Sequence, residues 1–485
     1  MRNVDRRTFL ALGSAAGLAG VLGMSGCGRA GPAPDTAGTI TWWDQFQPLE
    51  TLERQTFDAV AGRLDGVTVD YTVYDPAALG QALQLAQQSG QVPDVFTNGF
   101  GVPELVLVEN DWVQPIELDR QALAAFPEGT LLEGLHLFDG RLYSFPLFSP
   151  KQHTTLTYFD RRAVEAAGAD PDEGPRTWDE FRALARALTT EGSYGWIEGL
   201  ALTDRLRQHV IDLATGAGAV LSFAGNGADA PGVADARTGE YPFATDEFLD
   251  VFEFLGSLVQ DGVMFPSSTS LDVRTARARW VGGAAGLLFD GAWNVGVLKG
   301  QYPEALPTLG VGDMPTPDGA GRVMNGPVGG SFWLSRSSSD ADVVNQIFSH
   351  MATERYATQL AAAMDQPPAD LAAVGNADVP AAYQRAVSLM ERSVRVAPSP
   401  VVQNPAVGAV LSEMKQIRPN LGEIAQGYLG GNVDDVGAEL RRYTSRLSTE
   451  RDRAVDVVRA RGQEVSLDDW RFDDLADPTT GRTAA

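Results

Sequence analysis

The sequence predicts an α/β fold, and three observations support that prediction. Short strand-like runs alternate with amphipathic helical runs along most of the chain. The chain has 485 residues, 44% of them hydrophobic, which is enough to bury one large core or two smaller ones. Its single cysteine excludes an intramolecular disulfide, so folding has to rest on core packing alone.

The first 26 residues have the features of an export signal. A start rich in arginine precedes the apolar stretch Phe9–Met24, which is short for a membrane-spanning helix. The run Asp5–Leu10 contains two adjacent arginines and resembles a twin-arginine motif. We therefore expect residues 1–26 to direct export and then to be removed.

The only cysteine lies directly after this apolar stretch. The segment Met24–Cys27 resembles a lipobox, in which small residues precede a cysteine that becomes acylated, although Met24 replaces the usual leucine. A lipid on Cys27 would hold the protein at the outer face of the cytoplasmic membrane. Residues 27–38, rich in Gly, Pro and Ala, would then tether the folded body to the lipid.

Strand and helix signals alternate from residue 39 onwards. Thr39–Trp43 is a strand candidate, and a helical segment to about Arg63 separates it from a second strand at Val67–Tyr71. An apolar helical face then ends at Ser89, and Pro93–Phe96 follows as a third strand. This order is typical of an α/β architecture.

Two further helices are marked by their ends. Thr177 and Glu180 have the spacing of a capping box, so a helix is expected to begin between them. A second apolar face, which includes Phe248 and Phe252, ends at Gly262. The same alternation therefore continues past residue 250.

Composition and motifs exclude several classes of function. The formal net charge of −25 makes nucleic acid and anionic lipid surfaces poor partners. The four histidines lack metal-ligand spacing, and neither a Gly-x-Ser-x-Gly elbow nor a phosphate-binding glycine loop with lysine occurs. We therefore expect no catalytic residue, no cofactor and no metal ligand. A glycosidase that uses two carboxylates on facing strands is the enzymatic alternative that stays open.

Nine short motifs occur in order between about Thr39 and Leu447. They are Ile40–Trp43, Val92–Val95, Asn110–Pro115, Asp139–Pro146, Leu156–Asp160, Thr177–Phe181, Gly286–Trp293, Gly329–Leu334 and Gly430–Val433. Each motif is weak by itself. Their order resembles that of the family 1 extracellular solute-binding proteins of bacterial ABC importers, the group that includes maltose-binding protein.

This resemblance implies a type II periplasmic-binding-protein fold. Two α/β lobes enclose a ligand cleft, and hinge segments cross from one lobe to the other. The implied ranges are 39–150 and 330–380 for the N-terminal lobe, 151–329 and 381–460 for the C-terminal lobe, and 461–485 for a tail. The crossings are expected near Pro146–Thr154, Pro327–Ser331 and Pro368–Tyr383.

Sugar chemistry and the resemblance together give candidate ligand-binding residues. A pyranose has an apolar face that stacks on aromatic rings, and hydroxyl groups that pair with planar polar side chains. Trp293 matches the position where the family stacks a tryptophan on sugar. Because side chains alternate along a strand, one of Trp42 and Trp43 is expected in the core. The candidates are Trp43, Asp44, Gln45, Asn98, Phe100, Phe148, Ser149, Trp196, Trp293, Gly330, Ser331, Gln403 and Asn404.

The function implied is capture of a carbohydrate, a disaccharide or oligosaccharide, by a monomeric lipoprotein that serves ABC permease transmembrane subunits. Two alternatives stay open. The ligand could be a glycerophosphodiester or another small solute, for which Lys151 is one donor, although no basic cluster is evident. An aromatic position of the maltose-binding branch falls near Asn404 here, which leaves the ligand class open. The ligand-bound protein could also report to a signalling receptor instead of a permease.

Overall fold

The computed structural model describes residues 38–64, 67–99, 103–224 and 230–473. The predicted export signal, Cys27, the tether up to residue 37, and Phe100 lie outside these residues. The strands are β1 Thr39–Asp44, β2 Thr68–Val73, β3 Val95–Phe96, β4 Leu137–Phe138, β5 Arg141–Leu142, β6 Ser144–Phe145, β7 Leu156–Asp160, β8 Tyr194–Ile197, β9 Leu221–Phe223, β10 Val233–Asp235, β11 Ala285–Asp290, β12 Leu309–Gly312, β13 Val323–Asn325, β14 Phe332–Leu334 and β15 Val394–Val396. The helices are α1 Glu50–Ala61, α2 Pro76–Ser89, α3 Glu104–Glu109, α4 Arg120–Ala124, α5 Arg161–Ala166, α6 Trp178–Leu188, α7 Thr203–Gly216, α8 Asp246–Gln260, α9 Val273–Val281, α10 Trp293–Gln301, α11 Ala341–Met351, α12 Glu354–Ala363, α13 Ala373–Asn376, α14 Ala381–Ser393, α15 Pro400–Gln403, α16 Ala406–Glu413, α17 Leu421–Leu429 and α18 Val436–Ala460.

The first lobe is built on a five-stranded sheet with the order β2-β1-β3-β14-β6. β1 pairs in parallel with β2 and β3, whereas β14 runs antiparallel to β3 and β6. The predicted order of three strands and two helices is confirmed here, with shifts of one or two residues at most strand ends. Since β1 and β3 are parallel, their carboxyl ends meet at one edge of the sheet, where α/β proteins bind ligands.

Both tryptophans of β1 are packing residues. Trp42 is fully buried and contacts Phe57 and Phe332, with ring centroids 4.8 Å apart in both pairs. Trp43 packs in a separate cluster, where its ring lies 5.0 Å from that of Tyr74. The expectation that one of the pair points to the core is met by Trp42. Trp43 packs as well because this inner strand is covered on both faces.

The second lobe is built on a four-stranded sheet with the order β12-β7-β11-β8. β7 runs antiparallel to both β12 and β11, and β8 is parallel to β11. Its core extends from Leu156 to Leu447 in sequence and includes Ala361 and Val374, two residues that the family resemblance assigns to the first lobe. The buried residues of the first core end at Leu360. The last turn of α12 therefore contacts both cores.

Helix α6 begins with the predicted capping box. The Thr177 hydroxyl accepts from the backbone N–H of Glu180 at 3.0 Å, and the Glu180 carboxylate accepts from the backbone N–H of Thr177 at 3.1 Å. The helix buries Phe181 and Leu184 against the second sheet. Its start is therefore fixed by reciprocal bonds, as the sequence predicts.

Removing this cap is expected to destabilise the second lobe. Thr177→Ala leaves the first-turn N–H groups of α6 without their side-chain acceptor, which costs about 1 kcal/mol. The measurement is the urea midpoint of unfolding, with Thr177→Ser as the control that keeps the hydroxyl. An unchanged midpoint in Thr177→Ala would show that the capping box does not contribute to stability.

Segments of chain that cross between the lobes lie side by side. Phe148 and Pro368 form an antiparallel bridge. It is flanked by a hydrogen bond of 2.9 Å from the Ser149 N–H to the Pro367 carbonyl. In the crossing between β13 and β14, a Cβ on Gly330 would lie 2.1 Å from Ser144, so only glycine fits there. That glycine lets the crossing pack against Ser144 of β6.

The chain from Arg461 to Asp473, predicted as part of a polar tail, is packed against the protein. Trp470 is fully buried in a small apolar cluster with Val401 and Val458. The guanidinium of the buried Arg451 lies 5.4 Å from the centroid of the Trp470 ring. Trp470, together with the buried Val465, therefore fixes a stretch whose sequence is mostly polar. Within the described ranges, no helix is long and apolar enough to cross a membrane.

Candidate ligand-binding cleft

A cavity of about 610 Å³ lies where the two lobes and the crossing segments meet. Its first-lobe wall comes from the residues that follow β1 and β3, and its second-lobe wall comes from α7 and the start of α10. The lining residues are Gln45, Phe46, Pro48, Thr97, Asn98, Phe148, Gln152, His153, Thr154, Arg205, Gln208, Ile211, Asp212, Phe223, Trp293, Asn325, Gly326, Pro327, Val328, Gly329, Gly330, Ser331, Asp365 and Gln366. We call this cavity the cleft.

The structure divides the predicted ligand-binding residues into two sets. Those that line the cleft are Gln45, Asn98, Phe148, Trp293, Gly330 and Ser331. Those outside its lining are Trp43, Asp44, Ser149, Trp196, Gln403 and Asn404. The first set follows strand ends or lies in the crossings. Phe100 lies outside the described residues.

Asp44 forms hydrogen bonds within the first lobe at the end of β1 and does not line the cleft. It is fully buried, and its carboxylate accepts from the Tyr71 hydroxyl at 2.8 Å and from the Phe46 N–H at 3.0 Å. Burial raises the pKa of Asp44 to about 6. The acceptor capacity predicted for a sugar is therefore used inside the protein.

Two other candidates, Trp196 and Ser149, have their contacts elsewhere than in the cleft. Trp196 is 1% exposed and lies in the second core, with its ring 6.0 Å from that of Phe289. Ser149 is buried, and its hydroxyl accepts from the Lys151 N–H at 3.1 Å. Ser149 and Lys151 line a separate cavity of about 710 Å³, not the cleft. Lys151 therefore lies at this second cavity in the structure.

Gln403 and Asn404 form hydrogen bonds to the C-terminal residues 464–471. The Gln403 amide donates to the Asp469 carbonyl at 3.3 Å, and the Asn404 amide donates to the Glu464 carbonyl at 2.9 Å. The carbonyl groups that accept from these two amides all lie in the stretch that the sequence predicts as a tail. Because that stretch is packed, these two planar amides serve the fold and lie away from the cleft.

Trp293 is held rigidly at the carboxyl end of β11. Its indole N–H donates to Asp290 at 2.8 Å. Carbons of its six-membered ring lie 2.2 to 2.4 Å from the position of a Cβ on Gly291, so only glycine lets the ring lie against the backbone there. The Arg205 guanidinium lies over the ring, 4.7 Å from its centroid. The indole is therefore fixed before any ligand binds.

Asp290 organises this wall electrostatically. It is 5% exposed and accepts from Arg205 at 3.0 Å and from Arg277 at 2.5 Å. Burial favours the neutral acid, but the Arg277 and Arg205 guanidiniums hold the pKa of Asp290 below its usual value. Arg205 reaches the cleft with 19% of its side chain exposed, so some of its five N–H groups can donate to a ligand oxygen.

His153 and Asp212 form a second polar patch. The Nδ1 atom of His153 accepts from the Thr155 N–H at 3.1 Å, so the ring proton is assigned to Nε2. Nε2 has no hydrogen-bonding partner among the described residues. Burial lowers the pKa of His153, although Asp212 and Asp313 oppose this, so the ring is neutral at pH 7. Asp212 is anchored by the Thr155 hydroxyl at 2.6 Å.

Sequence reasoning missed the charged residues of the cleft. On α7, Arg205, Gln208 and Asp212 are spaced i, i+3 and i+7, which places them on one helical face. That polar face on a largely buried helix is a signal that could have identified them. Asp365 lies three residues before the third predicted crossing, and His153 lies within the first. Across the described ranges, no group of three His, Cys, Asp or Glu residues is arranged to hold a metal ion.

Comparisons with known proteins agree with this architecture. A curated relative, the sn-glycerol-3-phosphate-binding periplasmic protein of Agrobacterium fabrum, is 21% identical over 424 residues, which cover 83% of this chain and 90% of the relative. A Thermotoga lettingae ABC transporter solute-binding protein, solved with α-D-tagatose, has a TM-score of 0.63 at 17% identity, covering 86% of this chain and 100% of that one.

A Thermus thermophilus maltotriose-binding protein, solved with maltotriose, has a TM-score of 0.62 at 20% identity. That match covers 84% of this chain and 99% of the other. At such identities the solved structures establish the two-lobed fold. The model of the bacterial extracellular solute-binding protein family matches residues 55–387, which is more than half of the chain. The chain therefore belongs to the bacterial extracellular solute-binding proteins.

Proposed function

We propose that this protein captures an uncharged carbohydrate in the cleft and delivers it to an ABC permease. Proteins of this family bind small molecules and work with ABC permeases. The observation that supports a carbohydrate most directly is Trp293, an aromatic ring held at the cleft wall by Asp290 and Gly291. The part of this fixed indole that faces the cleft can contact the apolar face of a pyranose with little loss of side-chain entropy.

Polar side chains around the cleft suit the hydroxyl groups of a sugar. Gln45 and Asn98 come from the first lobe, Gln208 from the second, and Gln366 from the third crossing. Planar amides can both donate to and accept from hydroxyl groups. A sugar that bonds to both lobes binds the closed form better than the open one, and so shifts the equilibrium towards closure.

Glycerol phosphate is the second candidate, because the curated relative from Agrobacterium fabrum is named for it and Arg205 offers donors. Charge in the cleft argues against it. The charged side chains in the described lining are Arg205, Asp212 and Asp365, and behind them Arg277 is paired with Asp290. Two arginines therefore face three carboxyl groups, and that excess of carboxyl groups disfavours a phosphate.

Attachment to the membrane is the remaining part of the proposal. The lipobox-like segment Met24–Cys27 supports a lipid on Cys27 after export. A diacylglyceryl group with an N-linked acyl chain supplies the two or more chains that stable anchoring requires. The protein would then work at the outer face of the cytoplasmic membrane, beside its permease.

Calorimetric titration of the exported protein tests the proposal. The panel contains D-tagatose, maltotriose, raffinose and sn-glycerol 3-phosphate. We expect saturable binding of at least one sugar, no binding of the phosphate, and no release of reducing sugar. Tighter binding of sn-glycerol 3-phosphate than of every sugar would overturn the choice of ligand class. Sustained sugar release would instead indicate a glycosidase.

A further inference from the structure

Asp365 is a buried carboxyl group that lines the cleft. It is 8% exposed and belongs to the cleft lining. No ion pair of Asp365 within 4.0 Å occurs among the described residues, whereas Asp290 across the cleft has two arginines. The Asp365 carboxylate accepts from the backbone N–H of Gln366. The described residues therefore leave most of its acceptor capacity unused.

The buried position of Asp365 destabilises the charged form of its side chain. Burial raises the pKa of Asp365 to about 7, and the charge of Asp44 adds to that shift. Tyr383, the other titratable group that interacts with it, also has its pKa raised by burial. A desolvated carboxylate without a cation or a full set of donors destabilises a folded protein. Packing alone therefore gives no reason for an acid at this position.

The backbone directly before Asp365 is held in place by tight packing. Met364, which ends α12, has φ 54° and ψ 44°, a left-handed conformation that a methionine seldom adopts. A Cβ on Gly296 of α10 would lie 2.4 Å from the Met364 carbonyl oxygen, so this turn packs tightly on the helix that begins with Trp293. Strained backbone that the surrounding structure fixes is a feature of ligand sites.

We propose that Asp365 is a ligand-contacting residue that selects for hydroxyl donors. Its carboxylate accepts hydrogen bonds from adjacent hydroxyl groups of the bound carbohydrate, while Trp293 stacks on the sugar ring. The hydroxyl groups replace the water that the carboxylate loses in the cleft. Ligand groups that only accept, such as a phosphate dianion, meet repulsion there. This inference rests on the proposed carbohydrate function. It adds the residue that distinguishes ligands with hydroxyl donors from phosphorylated ligands.

The isosteric variant Asp365→Asn tests this assignment, because its effects on binding and on stability have opposite signs. We expect the affinity for the tightest-binding sugar of the panel to fall ~10- to 100-fold, since hydrogen bonds to a charged acceptor are lost. We expect the melting temperature of the ligand-free protein at pH 8 to rise, since a buried charge is removed. A purely structural role would instead lower the melting temperature.

The matched control is Asp378→Asn, which alters an exposed carboxylate further along the same stretch of chain. It should change neither the affinity nor the melting temperature. Equal sugar affinity in wild type and Asp365→Asn overturns the inference and leaves the carbohydrate function standing. Failure of the wild-type protein to bind any sugar of the panel overturns the carbohydrate function. A lower melting temperature in Asp365→Asn assigns the residue to the fold and also overturns the inference.

Discussion

Replacing Trp293 with alanine is expected to weaken sugar binding by roughly 30- to 1,000-fold, the range for central aromatic contacts. Three losses combine in this variant. The stacking surface disappears, Asp290 loses the indole N–H that donates at 2.8 Å, and Arg205 loses the ring beneath its guanidinium. Because the ring lines the cleft, its removal affects the bound state far more than the free protein.

Calorimetric titration with the tightest-binding sugar of the panel measures this effect. Trp293→Phe keeps an aromatic face but lacks the N–H, so its affinity should lie between those of wild type and Trp293→Ala. Trp196→Phe is the control, because Trp196 is buried in the second core and should leave affinity within about twofold of wild type. An unchanged dissociation constant in Trp293→Ala would show that the stacking proposal is wrong.

The strand ends explain how much of the cleft could be predicted. Gln45 and Asn98 follow β1 and β3, so the rule that ligands bind at the carboxyl ends of strands points to both, whereas Trp293, which follows β11, was predicted from the family resemblance. The same rule included Trp43 and Asp44, the last two residues of β1. The rule could not exclude them, because the residues that pack on Trp43 and the Tyr71 hydroxyl that donates to Asp44 come from other segments of the chain.

Other parts of the cleft depend on contacts far apart in sequence. Arg205 is recognisable as a cleft residue only once Asp290 is known to hold it, and the two are 85 residues apart. Gln403 and Asn404 are reasonable sugar ligands by residue type, but segment 464–471 occupies their amides. That outcome depends on Trp470, whose burial no local periodicity indicates. Sequence periodicity and motif order therefore predicted the fold, whereas contacts between residues far apart in sequence determine which side chains line the cleft.

Buried carboxyl groups in the first lobe make its stability depend on pH. Glu53 on α1 is fully buried, accepts from the Tyr356 hydroxyl at 2.6 Å, and has one oxygen without a partner among the described residues. Burial raises the pKa of Glu53 from 4.5 to about 8, and nearby Asp44 contributes to the rise. The folded protein therefore keeps a proton on Glu53 at pH values where the unfolded chain has lost it.

The sign of the pH dependence follows from that difference in proton binding. Between pH 4.5 and about 8 the folded state binds more protons than the unfolded state, so the free energy of unfolding falls as pH rises. Asp44 adds to the slope up to about pH 6, where its own folded-state titration occurs. Below pH 4.5 Glu53 is protonated in both states, and its contribution to the slope vanishes.

Glu53→Gln is therefore expected to stabilise the protein at pH 8 by roughly 2 to 4 kcal/mol, and to have little effect near pH 4.5. Glutamine keeps an oxygen for the Tyr356 hydroxyl but has no charge to desolvate, so the variant should also show a flatter dependence on pH. Urea unfolding of both proteins at intervals from pH 4.5 to 8.5 measures this difference. Asp58→Asn, an exposed change on the same helix, is the matched control and should follow the wild-type curve. Parallel curves for wild type and Glu53→Gln would mean that Glu53 is ionised in the folded state, and that water or a rearranged partner reaches its second oxygen.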